Sequence, residues 1–304
     1  DISGFAIYSG SRTELQENSL NDYIDENTPD EITTTTTRQK SDLGLFKLSS
    51  KFKPNNNNQL DYDVFAKVSQ QTETEDFFSS LLGNIDERQS QNPYSFNQNL
   101  NYYYTLNDNH IFAFEAQHLL KNEDPFYNAL LTNDPANNDE LNPNDRDAFD
   151  TTAEAIGFNR SLDNYDLGQN RLVKSNQLDA KLDYYNILGP KSNINFTLGT
   201  ILSRQDFNSN IFQFLDDGTI LNPTPTFNEG RATNDTQYNF SDVYLGVHYT
   251  LKAGKFTFRP GISAHSYGNK NFQFNQEVKD NFFRVLPDFE TRIQFKSSES
   301  LTFN

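Results

Sequence analysis

Residues 94–106 read Tyr-Ser-Phe-Asn-Gln-Asn-Leu-Asn-Tyr-Tyr-Tyr-Thr-Leu. Tyr94, Phe96, Gln98, Leu100, Tyr102, Tyr104 and Leu106 share one parity, while Ser95, Asn97, Asn99, Asn101 and Thr105 share the other. Period two over such a length is a strand with two unlike faces, because successive side chains point to opposite sides. Eight more segments repeat the pattern. They are Phe46-Leu48-Ser50-Phe52, Leu60 to Val68, Phe112-Phe114-Ala116, Leu178 to Tyr184, Ile194 to Leu202, Val243 to Leu251, Phe256 to Ala264, and Phe283 to Phe295. A tenth, shorter candidate spans Ile2 to Ser9.

The nine apolar faces carry no Asp, Glu, Lys or Arg, whereas the opposite faces hold Lys47, Lys51, Asp61, Asp63, Glu115, Asp179, Lys181 and Asp183, among others. A charge-free face backed by a charged one suits a wall between lipid and a wet lumen. A soluble β-sandwich also alternates, with its apolar face turned to a core. Strand length separates the two, since soluble strands run about 5–6 residues and membrane-crossing ones about 9–11. Connections separate them further. Short links at 54–59, 107–109, 189–192, 253–254 and 297–299 take turns with long ones at 10–41, 71–93, 119–173, 204–241 and 266–281. Tight periplasmic turns and long extracellular loops are the pattern of an outer-membrane barrel. The expected fold is therefore all-β, a transmembrane antiparallel up-and-down β-barrel, one domain over 1–304 with about ten strands. Ile32 to Lys53 reads as one long strand rising beyond the membrane, with the β-branched run Thr33 to Thr37 above it.

Composition agrees. Hydrophobic residues make up 35% of the 304, and mean hydropathy is −0.78, too polar for a conventional core. Aromatics reach 14%, too many for a disordered acidic chain. With Cys at 0, disulfides, thiolate metal sites and a Cys nucleophile are excluded. The five long loops hold nearly all of the net charge of −17, so the acidity belongs to the outer surface, and nucleic acid is disfavoured as a partner.

Leu48, Val64, Leu100, Leu182, Leu198, Leu245 and Ile293 are expected to face lipid near the midplane. Tyr62, Tyr94, Tyr104, Tyr184, Tyr249, Phe52 and Phe256 are expected in aromatic girdles at the interfaces. No phosphate-binding Gly loop, nucleophile elbow or zinc-type His pair occurs, and His110, His118, His248 and His265 are scattered. No catalytic residue is assigned. Asp288, Glu290 and Arg292, with Arg259 on the neighbouring strand, read as a lumenal charge network, although the two carboxylates alone would also suit a paired-acid site. Asp134, Asp139, Glu140, Asp145 and Asp147 are dense enough in oxygen for Ca²⁺, but without EF-hand spacing, so a solvated loop is the competing reading. The 119–173 segment exceeds what a connection needs and is expected on the extracellular side, near the barrel mouth, where it contacts a ligand or partner.

The stretch Phe256 to Phe303, with Phe258-Arg-Pro-Gly-Ile262, Val285-Leu-Pro-Asp-Phe-Glu-Thr-Arg-Ile-Gln-Phe295 and the following turn into Leu301-Thr-Phe303, resembles the barrel of a TonB-dependent outer-membrane receptor, most of all the large barrels of the Bacteroidota. The resemblance implies a barrel of about twenty-two strands closed by an N-terminal plug that engages TonB, and import of a substrate bound at the extracellular face. Neither plug nor TonB-engaging segment is found in these residues, so TonB is a partner only where a plug lies upstream. The chain is expected to form part of a larger barrel, because Leu301 to Phe303 begins as a further strand would, or else a smaller barrel closed by its ends. The partners implied are outer-membrane lipid and a surface lipoprotein or other subunits of a membrane complex. Two other readings stay open: a non-transporting barrel that scaffolds surface lipoproteins or a secretion or assembly complex, and a soluble secreted all-β binding module.

Overall fold

A computed structural model describes residues 1–24, 30–80, 83–132, 165–215, 217–222, 233–274, 276–296 and 299–303. The described residues form an antiparallel up-and-down sheet of fourteen strands. These are β1 Ile2–Asn21, β2 Glu31–Asn55, β3 Asn58–Ser79, β4 Gly83–Gln91, β5 Tyr94–Asn107, β6 His110–Glu123, β7 Phe126–Thr132, β8 Tyr165–Gly189, β9 Ser192–Phe214, β10 Ile220–Leu221, β11 Thr233–Ala253, β12 Phe256–Gln273, β13 Gln276–Lys296 and β14 Glu299–Phe303. Each long strand pairs with its neighbours in sequence, and β1 and β14 stand at the two ends of the pairing order.

Four of the strands combine into two. β3 pairs over its first half with β5 and over its second with β4, while β8 pairs first with β7 and then with β6. The chain thus runs down through β4 and β5 and up through β6 and β7, with a break in each passage at Pro93 and Pro125. Proline has no N–H to give to a ladder, so a break belongs there. The two breaks sit side by side: the Asn92 N–H donates to Asp124 Oδ1 at 2.9 Å, and the Pro93 and Pro125 carbonyls accept from Ser69 and Arg171. Counted this way, the long crossings number close to the ten that alternation predicts.

The short turns fall where expected, at 55–58, 107–110, 189–192 and 253–256. Gly254 takes φ 61°, a left-handed conformation that glycine adopts without steric cost. Each of these hairpins also bonds the next strand along the rim, as in Thr105 N–H to Asn57 O and Ile187 N–H to Asn109 O.

The long loops differ from expectation. Most of 10–41, 71–93, 204–241 and 266–281 is strand, continuing the sheet far past the alternating belt. Thr33 to Thr37 lies inside β2, paired on both sides, as the β-branched run suggests. Alternation fades here because both faces of the extension are polar, so the period-two signal has nothing to contrast.

Register joins the apolar faces into one. Leu48 opposes Val64, Val64 opposes Gln98, and Leu182 opposes Leu198, which opposes Leu245 and then Ala264. Across the belt this face presents no charged side chain. It is also the open face: Leu198 is 54% exposed and Leu245 56%. The opposite, polar face is the crowded one, with Asp183 at 4% and Asn195 at 2%. Side chains on the concave side of a curved sheet converge and cover one another, so this asymmetry belongs to a wall curved with its polar face inward. A sandwich would cover its apolar face instead.

Candidate functional site

The polar face carries ion pairs and hydrogen bonds across strands. On β6, β8 and β9, Lys181 Nζ lies 3.1 Å from Glu115 and 3.5 Å from Asp183. Asp183 also accepts from Asn195 Nδ2 at 3.1 Å and from the Thr197 hydroxyl. A buried carboxylate persists only with such partners, and here one cation and two neutral donors supply them.

A second cluster spans β11 to β13. His265 Nδ1 lies 2.9 Å from Asp242, and His265 Nε2 lies 3.0 Å from the Ser263 hydroxyl. The His265 ring stacks between Tyr244 and Tyr267, at centroid distances of 5.0 and 5.4 Å, and Phe282 with the Arg284 guanidinium above it extends the row. Tyr244 lies over Gly199, where a Cβ would come within 2.2 Å of the ring. A glycine inside a strand marks such a close approach.

The residues predicted as a lumenal network lie on this face but pair differently. Arg259 opposes Glu290 in the register, with charged atoms 3.7 Å apart. Asp288 takes His248 as its partner at 3.1 Å, over Gly261, rather than an arginine. Arg292 opposes Thr257 and Thr302 and makes no ion pair among the described residues. The two carboxylates are therefore each engaged by a base on another strand, an arrangement that favours structure over paired-acid chemistry. The Glu115–Lys181–Asp183 and Asp242–His265 clusters were not singled out in advance. Their strands were legible, but their contacts depend on register.

The residues expected to face lipid differ in exposure and in their place along the strands. Val64 shares the apolar face but is only 6% exposed, covered by its neighbours, among which Tyr62 hydrogen-bonds Gln98 at 2.7 Å. Ile293 opposes Phe256 and Leu301 near the short-turn rim, whereas Val285 occupies the row of Leu245 and Ala264. Leu182, Leu198 and Leu245 are exposed; Leu48 and Leu100 are half-buried. Toward the short turns the same face carries a stacked aromatic row, Tyr104–Phe112–Tyr184–Phe196, with successive centroids 6.2, 4.9 and 6.0 Å apart.

In the strand extensions the inward face turns acidic. Glu75 opposes Glu87 directly, and Glu73 lies two residues away beside a cavity of about 250 Å³ that Tyr127 and Gln169 also line. Thr37 donates to Glu75 and Gln39 to Glu73, each at 3.2 Å. Burial pushes the Glu87 carboxyl above the ordinary glutamate value, and repulsion from Glu75 and Glu73 adds to it. Among the described residues no three metal-ligating side chains converge on one point. Asp134, Asp139, Glu140, Asp145 and Asp147 lie outside the described residues.

No protein-family model matches the chain. No curated protein matches it either. Among solved structures it is similar to the ferric citrate transporter FecA in the unliganded form, at 10% identity and a TM-score of 0.42, covering 98% of this chain and 43% of that one. It is similar to the siderophore receptor PiuA from Acinetobacter baumannii at 9% identity and a TM-score of 0.41, covering 97% and 48%. The transport unit of the autotransporter AIDA-I from Escherichia coli follows at 12% and 0.27, covering 99% and 82%. The chain spans less than half the length of the two receptors.

Proposed function

We propose that this chain forms wall strands of an outer-membrane β-barrel of the TonB-dependent receptor type, which binds a substrate at its extracellular face and imports it. One observation carries the membrane reading: the apolar segments align into a single face without a charged side chain across the belt, and most of its large apolar side chains from β8 to β13 are exposed. Water would oppose so large an apolar surface, while hydrocarbon accommodates it and excludes charge. The aromatic row near the short turns sits where amphipathic rings favour headgroup depth. The receptor reading rests on the resemblance of Phe256 to Phe303 and on strands that rise well beyond the belt to build an acidic inner surface.

In this reading the polar face lines the lumen, and the Asp183 and Asp242 clusters hold the wall in register. Outer-membrane lipid is the first partner; a surface lipoprotein at the extracellular rim, and TonB where a plug precedes these strands, are the others. Ca²⁺ at Asp134 to Asp147 remains a proposal of the sequence alone.

The full-length protein, expressed in a Gram-negative host, should sediment with the outer membrane and migrate faster unheated than boiled. Recovery in the soluble fraction would contradict the membrane reading. Cells that insert the barrel yet take up no surface-bound substrate when energised would leave the membrane reading standing and remove import.

A further inference from the structure

Just beyond the apolar belt, on its outward face and on the side away from the short turns, β6, β8, β9, β11, β12 and β13 leave a hollow of about 660 Å³. Ser241 and Gly268 oppose each other at its floor. A Cβ at 268 would meet Ser241 Oγ at 2.7 Å and Asn281 Oδ1 at 3.1 Å, so the hollow depends on these positions staying small. Its two walls differ chemically. Leu202 closes the belt side, and Arg204, Lys270 and Lys279 line the other.

These cations are under-compensated. Lys270 and Lys279 oppose each other directly, which is unfavourable for like charges. Glu277 alone serves both, at 2.7 and 2.6 Å. Asp206 pairs with Arg204 at 3.0 Å, and it is also the register partner of Lys174. The three bases of the hollow thus share two acids, in a chain whose net charge is −17. Immediately below, Val243 and Phe283 stand 49% and 60% exposed on the same face.

We propose that this hollow seats the phosphorylated headgroup of a lipid in the leaflet farther from the short turns, with its acyl chains lying along Val243 and Phe283. The proposal rests on the membrane reading above. Charge complementarity selects the phosphate: cations at the membrane edge attract anionic headgroups, and the residual positive charge is concentrated in one pit. The adjoining apolar strip selects a lipid over a free anion, because only a lipid satisfies both walls at once.

The test uses the full-length protein in phosphatidylcholine nanodiscs doped with bisphosphorylated lipid A or its dephosphorylated counterpart, with retained lipid read by native mass spectrometry. Wild type should retain lipid A and not the dephosphorylated form. R204Q/K270Q/K279Q should lower occupancy about tenfold or more, since each base contributes near the surface. Gly268→Leu, which fills the pit and leaves every charge, should lower it too. Equal retention by the charge variant, or equal retention of the dephosphorylated lipid, overturns the proposal while the barrel still inserts. Displacement of lipid A by millimolar inorganic phosphate would make the pit a free-anion site and overturn the lipid assignment. Failure of the wild type to enter nanodiscs at all would overturn the membrane reading and this inference together.

Discussion

Asp183 shows how one side chain decides local order on the polar face. It accepts from Asn195 and Thr197 and lies 3.5 Å from Lys181, with 4% exposure. Asp183→Ala removes the shared acceptor, leaving the buried Asn195 amide without this bond and Lys181 with Glu115 alone. The expected cost is about 1–3 kcal/mol, as for any buried polar group deprived of its partner, measured by urea unfolding from detergent micelles. A midpoint unchanged from wild type would mean that water replaces the carboxylate at that site. On the opposite face the sign of polarity reverses. Leu198→Arg should cost roughly 2–4 kcal/mol in bilayers, whereas Asn99→Arg, on the polar face opposite Asp63, should cost little. Equal losses for the two would refute the assignment of faces.

Strands carried their own signature only where their two faces meet different solvents. Tyr94 to Leu106 was legible as a strand because lipid-type and water-type residues alternate in it. Glu73-Thr74-Glu75-Asp76 is equally a strand but polar on both sides, so sequence alone made it loop. Contacts such as Asp242 with His265 were illegible for another reason: a register slip of one residue would separate them. That extension yields a pH prediction. The Glu87 carboxyl is raised by burial and by Glu75 and Glu73, so folding favours its protonated form. The stability it lends is present below the ordinary glutamate range and is lost as pH rises through the raised value. Hydrogen exchange of the 71–79 amides, corrected for intrinsic rates, should therefore show weaker protection at pH 8 than at pH 5. Glu87→Gln should flatten that dependence and leave the belt strands unaffected. A wild-type profile already flat would place Glu87 in full solvent. At the break between β4 and β5, Asp124→Ala takes away the acceptor of the Asn92 N–H, and should loosen β4 and β7 by about 1 kcal/mol, read as faster exchange at 84–91 and 126–132 and nowhere else.

At the scale of the whole molecule, one feature unites the rest: a sheet whose exposed side is apolar and whose covered side is charged. Lipid resolves that inversion, and the lumenal clusters, aromatic row and headgroup hollow take their places only if it does. Because the chain has Cys 0, single cysteines can be introduced one at a time along Ile194 to Leu202 and spin-labelled without background. In bilayers, collision rates with oxygen, which concentrates in hydrocarbon, should peak at 194, 196, 198, 200 and 202. Collisions with a water-soluble nickel chelate should peak at the positions between. A profile without that two-residue period, or one with Phe196 and Leu198 most accessible to the chelate, would contradict the account.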